Sequence, residues 1–437
     1  MQRSIDTVAV LGAGTMGAGI AAACAQAGSR VHLLDLDAER VAGVIAKMTE
    51  GRAPMLDDPA ALERVSAGSL DDLSVLADCD WICEAVVEDL GIKQELFRRV
   101  EAARKEGSIV TTNTSGIPLR DIAEGMPERF RRDVAVTHFF NPVKVMRLLE
   151  LVPGEETDPD ALAMLRRYCA DTLGKGVVDA KDTVNFIGNR IGCFWILSGL
   201  HKARAALDGG LSMETVDALM STPVGLPPTG LYGLVDLIGL DVMDLVGKNL
   251  AANLPEGDVG REFAAFPPTE QAMHERGQLG RKSGGGFYRV TKRDDGSKLK
   301  EVYDLVAGDW RVADKVALDA AHAEAGALLF ADDAEGRFAW DLMGGALCYA
   351  ADLVPEISDT LVGVDRAMRW GFNWQQGPFE MLDALGPQRV IARLEAEGRP
   401  LPRMLAVLRD AGAESFYRNG GSECLGPDGQ WQAVGPE

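Results

Sequence analysis

The stretch "VAVLGAGTMGAGIA", residues 8–21, joins an apolar, β-branched run to a glycine-rich loop. The run ends at Leu11, and glycines follow at positions 12, 14 and 17. The Ala-rich "AGIAAACAQAG" predicts a helix that stops at Gly28, and "RVHLLD" predicts a second strand that ends at Asp35. A strand, a G-x-G-x-x-G loop and a helix in this order are typical of a dinucleotide-binding unit, although the same glycines also occur in plain tight turns.

Each glycine has a separate task in a dinucleotide site. Gly12 permits the sharp turn, Gly14 lets the backbone approach a pyrophosphate, and Gly17 lets the helix pack against the strand. The N-terminus of the helix adds N–H donors and a partial positive charge for the phosphates. The residues of this loop assigned to the cofactor are Gly12, Gly14, Thr15, Met16 and Gly17.

Asp35 lies 21 residues beyond Gly14, close to the spacing of about 20 at which a carboxylate accepts a ribose 2′-hydroxyl. Because this carboxylate would repel a 2′-phosphate, we predict NAD rather than NADP. The alternative is a solvated carboxylate in a turn.

The composition describes a globular chain of two or three domains. Of 437 residues, 46% are hydrophobic and 25% are charged, and the net charge of −21 argues against a nucleic-acid partner. The longest apolar stretch, "IGCFWILSGL", is shorter than the ~20 residues that span a bilayer, so we expect no membrane insertion. The first predicted strand begins about six residues into the chain and leaves no room for the segments of a targeting signal, so none is expected. Seven cysteines without a CxxC pair indicate reduced thiols in the cytoplasm, with neither a disulfide framework nor a metal site.

Strand and helix signals alternate up to about residue 180. The strand candidates are "TVAVL", "RVHLL", "DWICEAV", "SIVTTN", "VAVTHFF", "LLELV" and "GVVDA". This alternation predicts an α/β, Rossmann-type doubly wound sheet, mostly parallel, with helices on both faces. Helical spacing dominates from "NFIGNRIGCFWILSGLHKARAAL" onward, interrupted by a predicted hairpin in "FYRVTKRDDGSKLKEVYDL".

The two helical regions look like tandem copies of each other. Asp236 and Gly239 match Asp383 and Gly386 at an offset of 147 residues, and an upstream Val-Asp pair matches at an offset of 148. We therefore expect two all-α helical domains after the sheet. The predicted segments are 1–184 for NAD binding, 185–290 for a helical substrate domain, 291–329 for the hairpin and linker, and 330–437 for a second, non-catalytic helical copy.

The stretch "THFFNPVKVMRLLELV" places His138 near the end of one predicted strand and Glu150 in the next. Two neighbouring strands would bring the imidazole and the carboxylate within hydrogen-bond reach. A histidine oriented by a carboxylate is the usual general base near neutral pH, because the carboxylate selects the tautomer and stabilises the imidazolium. The alternative is a histidine that only completes the core.

Over roughly residues 5–290 the chain resembles the L-3-hydroxyacyl-CoA dehydrogenases of fatty-acid β-oxidation. The motifs that carry the resemblance occur in the family's order: "GAGTMG", "EAVVEDLGIKQELF", "TNTSGIPL", "HFFNPVKVMRLLEL", "DTVNFIGNR" and "GRKSGGGFY". The resemblance implies NAD-dependent oxidation of (S)-3-hydroxyacyl-CoA to 3-oxoacyl-CoA, with His138 as general base and Glu150 as its electrostatic partner. The alternatives are a dehydrogenase of a small free hydroxy or sugar acid, and a non-catalytic NAD-binding structural protein.

The same resemblance implies further site residues. Ser115 and Asn189 are expected to hold the substrate near its 3-oxygen, and Ser115 also to contact NAD. The other implied NAD contacts are Glu88, Lys93, Asn141 and Lys282. Taken without the resemblance, Ser115 reads as a turn residue, Asn189 as a helix cap and the two lysines as solvated charges. An anionic acyl-CoA also needs a local cation on an acidic protein, and Lys47, in the helix after Asp35, is the candidate.

From about residue 330 onward the chain resembles the duplicated C-terminal domain of multifunctional β-oxidation proteins, above all in "AMRWGFNWQQGPFEMLDALG". The position equivalent to Asn189 is Gly336, so a second active site is not expected. Single-copy relatives dimerise through this domain, which implies a monomer with an intramolecular pseudo-dimer of helical domains; a homodimer is the alternative. An enoyl-CoA hydratase domain or protein is the further partner that the resemblance implies.

Overall fold

The computed structural model describes residues 4–293 and 295–435, so the predicted segments extend outside the described residues at 1–3, 294 and 436–437. The chain falls into two compact units. The first runs to Ile187 and includes Glu356–Ser358, and the second takes Gly188–Pro355 and the chain from Asp359 onward. Apart from residues 185–187 and Glu356–Ser358, the described residues of both predicted helical segments therefore lie in one unit.

The first unit is built on an eight-stranded sheet. Its strands are β1 (Thr7–Leu11), β2 (Arg30–Asp35), β3 (Val65–Ser69), β4 (Trp81–Glu84), β5 (Ile109–Thr112), β6 (Val134–Phe139), β7 (Leu148–Pro153) and β8 (Gly176–Asp179). Their order is β3-β2-β1-β4-β5-β6-β7-β8, and all neighbours are parallel except β6 and β7. The predicted, mostly parallel sheet is confirmed. The direction of winding reverses between β1 and β4, where the strand ends open a crevice for a ligand.

The edge strand β3 is not among the strands predicted from the sequence. Its sequence, "VSAGS", is small and polar, and its residues are all at least partly exposed. Such a segment has no apolar run and little intrinsic strand preference. It becomes a strand because β2 offers a free edge with which it pairs in parallel.

The helices described in the first unit are α1 (Thr15–Gln26), α2 (Ala38–Ala46), α3 (Leu90–Ala103), α4 (Leu119–Ile122), α5 (Glu128–Asp133) and α6 (Pro159–Arg167). Three of these six helices, α2, α3 and α6, begin at a capping aspartate. The Asp37 carboxylate accepts the Glu39 N–H at 2.9 Å at the start of α2, and Asp89 accepts the Ile92 N–H at 2.9 Å at the start of α3. The buried, Ala-rich face of α1 belongs to the same core as the apolar side chains of β1 and β2.

The second unit is mainly helical. Its helices are α7 (Gly188–Asp208), α8 (Met213–Leu219), α9 (Gly230–Ile238), α10 (Leu240–Asn253), α11 (Pro268–Glu275), α12 (Ala325–Leu328), α13 (Ala334–Ala339), α14 (Gly345–Asp352), α15 (Leu361–Gly371), α16 (Pro378–Leu385), α17 (Pro387–Ala396) and α18 (Arg403–Asp410). A π-helical turn, Trp340–Gly344, links α13 to α14.

The second unit also contains two small antiparallel sheets, and the later of them makes the expectation of a purely α-helical segment over 330–437 wrong. Their strands are β9 (Tyr288–Lys292), β10 (Lys298–Asp304), β11 (Asp309–Val312), β12 (Tyr417–Arg418), β13 (Glu423–Leu425) and β14 (Trp431–Ala433). The predicted hairpin is present as β9 and β10, and β11 extends it. The additional strands are short, and β11 and β14 are half-buried or exposed throughout, so the sequence lacks the apolar alternation that reveals longer strands.

Two aspartates in the earlier part of the second unit each accept a pair of backbone N–H groups. Asp217 accepts those of residues 232 and 233, at 2.7 and 3.2 Å, and thereby joins α8 to α9. Asp236 accepts those of residues 287 and 288, both at 2.7 Å, and joins α9 to the start of β9. Burial raises the pKa of Asp236 to about 6, although the two N–H groups act in the opposite direction.

The later part of the unit contains the same arrangement. Asp365 accepts the N–H groups of residues 379 and 380, at 2.8 and 3.2 Å, and joins α15 to α16. Asp383 accepts those of residues 416 and 417, at 2.6 and 2.9 Å, and joins α16 to the start of β12. Each carboxylate therefore fixes one helix to the element that follows it in space.

We expect Asp236 to make the stability of the second unit depend on pH. Its pKa of about 6 lies above the ordinary value of 3.8, so the folded chain holds this proton more tightly than the unfolded chain. The resulting stabilisation is complete below about pH 4 and is lost as the pH rises through about 6. As the pH rises from about 4 to about 6, the free energy of unfolding of the wild type should therefore fall relative to that of Asp236→Asn.

Urea unfolding from about pH 4 to about pH 7 measures this difference. Glu395→Gln, which changes an exposed carboxylate on α17, is the control. If the difference between the wild type and Asp236→Asn stays constant over the range, Asp236 does not hold the proton.

Candidate active site

The glycine-rich loop between β1 and α1 has the shape that a pyrophosphate requires. Gly12 has φ +107°, and a Cβ there would lie 2.5 Å from the carbonyl oxygen of Ala85. A Cβ on Gly17 would overlap the carbonyl oxygen of Gly12, whereas Gly14 faces open space. Since α1 starts directly after Gly14, which has no side chain to cap it, the N–H groups of Thr15, Met16 and Gly17 are presented to that space. The loop therefore fits a dinucleotide phosphate.

Asp35 lies at the carboxyl end of β2 and is bonded to the glycine-rich loop. One carboxylate oxygen accepts the Ala13 N–H at 2.7 Å, and the other accepts the Leu36 N–H at 2.7 Å. A carboxylate has about four acceptor positions, so these bonds leave capacity for a ribose hydroxyl. The residue is half-buried and ordered by its neighbours, which does not fit the alternative of a solvated turn carboxylate.

Exposed apolar side chains that were not among the predicted site residues follow the strands on either side of this crevice. Leu36 directly follows β2 and is 77% exposed, and Val87 follows β4 by three residues and is 64% exposed. Ile92, in the first turn of α3, is also exposed. Large apolar residues left in water at strand ends suit the flat face of an aromatic base. Their position after a predicted strand was the signal available in the sequence.

Lys93 lies in a buried cluster of charges rather than in solvent. Its Nζ lies 2.8 Å from Oε1 of Glu84 and 3.2 Å from Oε2 of Glu88, and both Lys93 and Glu84 are almost fully buried. Thr112 donates its hydroxyl to Glu84 at 2.6 Å. Glu84 was missed because a single glutamate at the end of an apolar strand has no distinctive pattern. Lys93 is therefore a fixed charge, and the alternative of a solvated lysine is wrong.

Glu88 connects this cluster to the loop that carries Ser115. It accepts the Thr114 hydroxyl at 2.6 Å and the backbone N–H groups of Ser115 and Gly116 at 2.9 and 3.1 Å. Burial acts to raise the pKa of Glu88, but the Lys93 charge and these hydrogen bonds outweigh it and lower the pKa. The loop after β5 is thus held by an ionised carboxylate, and the Ser115 residue stays exposed at its surface.

His138 and Glu150 face each other across the antiparallel pair β6 and β7. They are register partners, and Nδ1 of His138 lies 2.6 Å from Oε2 of Glu150. Both residues are buried. The hydrogen bond predicted from neighbouring strands is present. Because Nδ1 is bonded to the carboxylate, Nε2 is the ring nitrogen that can exchange a proton with a substrate.

The remaining predicted site residues lie outside these clusters. Asn141 is exposed two residues after β6, and Lys47 is exposed one residue after α2 rather than inside it. Asn189 is the second residue of α7 in the second unit. Lys282, also in the second unit, lies in a short 3₁₀ turn with its Nζ 2.7 Å from Asp241 Oδ1. The first unit thus brings together His138 with Glu150, and separately Glu88, Lys93 and Ser115.

Within the described ranges, 4–293 and 295–435, no helix is both long and apolar enough to cross a bilayer.

Two family models match the chain. The one described as the 3-hydroxyacyl-CoA dehydrogenase, NAD binding domain, matches residues 7–183. The one described as the 3-hydroxyacyl-CoA dehydrogenase, C-terminal domain, matches residues 186–290.

Curated relatives and solved structures agree with these matches. A Bacillus subtilis protein named as a probable 3-hydroxyacyl-CoA dehydrogenase is 36% identical over 99% of this chain and 58% of its own length. A 3-hydroxybutyryl-CoA dehydrogenase of Mycobacterium tuberculosis is 35% identical over 66% of this chain and 99% of its own length. The structure of 3-hydroxybutyryl-CoA dehydrogenase from Escherichia coli K12 has a TM-score of 0.70 at 26% identity, covering 93% of this chain and 98% of that chain. The chain therefore spans less than two thirds of the Bacillus relative.

The position of Asp35 generates a prediction about the cofactor. Asp35→Ala should weaken NADH binding and lower the ratio of the NADH affinity to the NADPH affinity. The variant loses both an acceptor for the ribose hydroxyl and the charge that repels a 2′-phosphate. Titration of protein fluorescence with NADH and with NADPH measures both affinities. Glu39→Ala, an exposed acid on α2, is the control for a general change of charge. Equal binding of the two cofactors by the wild type would show that Asp35 does not select against NADPH.

Proposed function

The chain belongs to the 3-hydroxyacyl-CoA dehydrogenase family, a family of NAD-dependent oxidoreductases, and on that premise we propose that it oxidises (S)-3-hydroxyacyl-CoA to 3-oxoacyl-CoA in fatty-acid β-oxidation, reversibly. The buried hydrogen bond between His138 and Glu150 carries this proposal. Burying a carboxylate costs free energy. Its hydrogen bond to an imidazole therefore favours a role in proton transfer over a purely structural role. Comparing the reduction of acetoacetyl-CoA by NADH with the oxidation of free hydroxy acids by NAD tests the alternative substrate class.

In this mechanism the chain's own residues move and hold a proton. Nε2 of His138 takes the proton of the 3-hydroxyl, and Glu150 holds Nδ1–H and stabilises the resulting imidazolium. When bound, NAD supplies a hydride acceptor for the carbon that carries this 3-hydroxyl. The low exposure of both side chains strengthens their interaction, because little water competes for it.

Further residues are proposed to contact the substrate and NAD. Ser115 and Asn189 hold the substrate near its 3-oxygen, and Ser115 also borders the cofactor together with Asn141 and Lys282. Glu88 and Lys93 contribute on the cofactor side as a fixed ion pair, which keeps the Ser115 loop in place. Lys47 is exposed, which suits a long-range attraction for the acyl-CoA phosphates on this acidic protein.

We also infer that the helical part of the chain is a tandem duplicate. In both copies two aspartates, offset by 148 and 147 residues, accept paired N–H groups. The groups bound by the first aspartate are also offset by 147 residues, whereas those bound by the second are offset by 129, at the start of a strand in each copy. The glycine that follows the second aspartate, Gly239 or Gly386, has a positive φ and starts the next helix in each copy. These repeated hydrogen bonds support duplication more strongly than the short sequence matches do.

The two copies are joined by polar contacts inside the second unit. The Gln375 N–H donates to the Gly225 carbonyl at 2.8 Å, and Lys202 donates to the Asp341 carbonyl at 2.7 Å. Arg190, next to Asn189 in α7, donates to the Tyr349 hydroxyl at 2.6 Å. These contacts favour a monomer in which the second copy takes the place of a partner subunit, with a homodimer as the alternative.

Two further proposals concern the setting of the enzyme. All seven cysteines are buried free thiols, which suits the cytoplasm. The C-terminal resemblance to multifunctional proteins makes an enoyl-CoA hydratase, as a domain or a separate protein, the proposed partner, since its product is the substrate of this reaction.

Replacing the base should abolish most turnover. His138→Ala should lower kcat about 10²–10⁴-fold, the usual contribution of a general base, with NADH affinity nearly unchanged. Glu150→Gln should also lower kcat, because the imidazolium loses its counter-charge. Steady-state reduction of acetoacetyl-CoA by NADH measures both effects, and His274→Gln on α11 is the matched control. Wild-type turnover by His138→Ala would refute the proposed base.

Removing residues 330–437 should expose the face of α7 that the second copy covers. On that face a Cβ on Gly192 would overlap the ring of Phe372, and a Cβ on Gly199 would lie 3.2 Å from the side chain of Leu342. The truncated chain should therefore aggregate, lose heat stability or dimerise, as light scattering and a thermal melt can show. A truncated protein that stays monomeric and as heat-stable as the full chain would contradict the pseudo-dimer.

A further inference from the structure

The segment Asn185–Ile187, between β8 and α7, has an unusual backbone. Asn185 has φ +61° and Phe186 has φ +50°, so two adjacent residues other than glycine lie in the left-handed region. Side chains avoid this region because Cβ approaches the backbone carbonyl. Asparagine tolerates it better than most residues, whereas phenylalanine does not. Both residues are buried, and strained backbone of this kind persists where the surrounding contacts require it.

One such contact is made by the backbone at the end of this segment. The Ile187 N–H donates to Oε1 of Glu150 at 3.1 Å. The other oxygen, Oε2, is the one that bonds to Nδ1 of His138. Glu150 is completely buried, so each of its oxygens has a directed hydrogen bond inside the protein. A carboxylate bonded on both sides cannot rotate away from the imidazole without losing one of these bonds.

A second contact is made by the side chain in the middle of the segment. The ring of Phe186 lies 5.6 Å from the imidazole of His138, centroid to centroid, at 54°. The ring of Phe140 lies 4.5 Å from the same imidazole at 55°. The imidazole is thus flanked by two aromatic rings, which restrict its rotation and limit access of water.

We propose that Asn185 and Phe186 are positioning residues for proton transfer: their left-handed backbone aims the Ile187 N–H at Glu150 while the Phe186 ring packs on His138. The conformation of Phe186 sets the plane of the peptide that carries the Ile187 N–H. Consecutive residues can then bond to the Glu150 carboxylate and pack on the His138 imidazole at the same time. This inference rests on the proposed function of the pair, and it adds a third element to a site that the two strands alone leave only partly constrained.

Three variants separate the backbone conformation from other effects. Asn185→Val places a β-branched residue where the left-handed conformation is strongly disfavoured, and Asn185→Gly removes the side chain but permits that conformation. Asn373→Val is the matched control, because Asn373 has φ +55° and lies exposed in the second unit. Acetoacetyl-CoA and NADH are the substrates, and NADH binding and thermal unfolding are measured alongside turnover.

We expect Asn185→Val to lower kcat about 10- to 100-fold, the effect of losing a hydrogen bond to a charged group, with NADH affinity and KM for acetoacetyl-CoA within about twofold of wild type. Asn185→Gly should retain wild-type kcat, and Asn373→Val should change only the thermal midpoint. Wild-type kcat for Asn185→Val, in a protein that loses turnover on His138→Ala, would overturn the positioning role but leave the function intact. Wild-type turnover by His138→Ala would instead refute the function itself.

If Asn185→Val does not fold, Phe186→Gly and Phe186→Ala decide the question. Both remove the ring, but only alanine carries the penalty of the left-handed conformation. We expect both to lower kcat, and alanine to lower it further. Wild-type kcat in both variants would overturn the proposal.

Discussion

The site depends on the hydrogen bond between Nδ1 of His138 and Oε2 of Glu150, which is set by the register of two antiparallel strands. Because side chains alternate between the faces of a strand, a slip of one residue would move Glu150 to the opposite face of the sheet. The reversal of direction at β7, in an otherwise parallel sheet, is what places two residues that are close in the sequence opposite each other. The sheet therefore acts as the frame that holds the proposed proton-transfer pair.

Buried charges organise the loops around this frame. The protein has a net charge of −21, yet Lys93 is enclosed by Glu84 and Glu88 below the loop that carries Ser115. Pairing offsets the cost of removing these charges from water, and the remaining acceptor capacity of Glu88 holds the loop backbone. The cluster thus supports the Ser115 loop from inside the protein, and the lysine expected to contact NAD is itself buried in it.

In the helical unit, hydrogen bonds from pairs of backbone N–H groups to aspartates connect neighbouring elements. Asp217 and Asp365, and likewise Asp236 and Asp383, bind equivalent elements in the two halves of that unit. Burial raises the pKa of Asp217 to about 7 and of Asp383 to about 6. Ionising these buried carboxyl groups near neutral pH therefore costs free energy. Their recurrence supports the proposal that one ancestral helical domain was duplicated and then packed against itself.

The sequence by itself determined the features that depend on local pattern. Apolar runs marked seven strands of the large sheet, the glycine spacing marked the phosphate loop, and the spacing of His138 and Glu150 on adjacent strands predicted their contact. The edge strand β3, the burial of Glu84 with Lys93, and the left-handed turn at Asn185 and Phe186 were not predictable in this way. The edge of β2 and the Glu150 acceptor lie far from these segments in the sequence, whereas Glu84 and Lys93 are only nine residues apart but belong to a strand and a helix. Only the tertiary structure brings each pair into contact, because no local pattern specifies the pairing edge, the counter-charge or the acceptor.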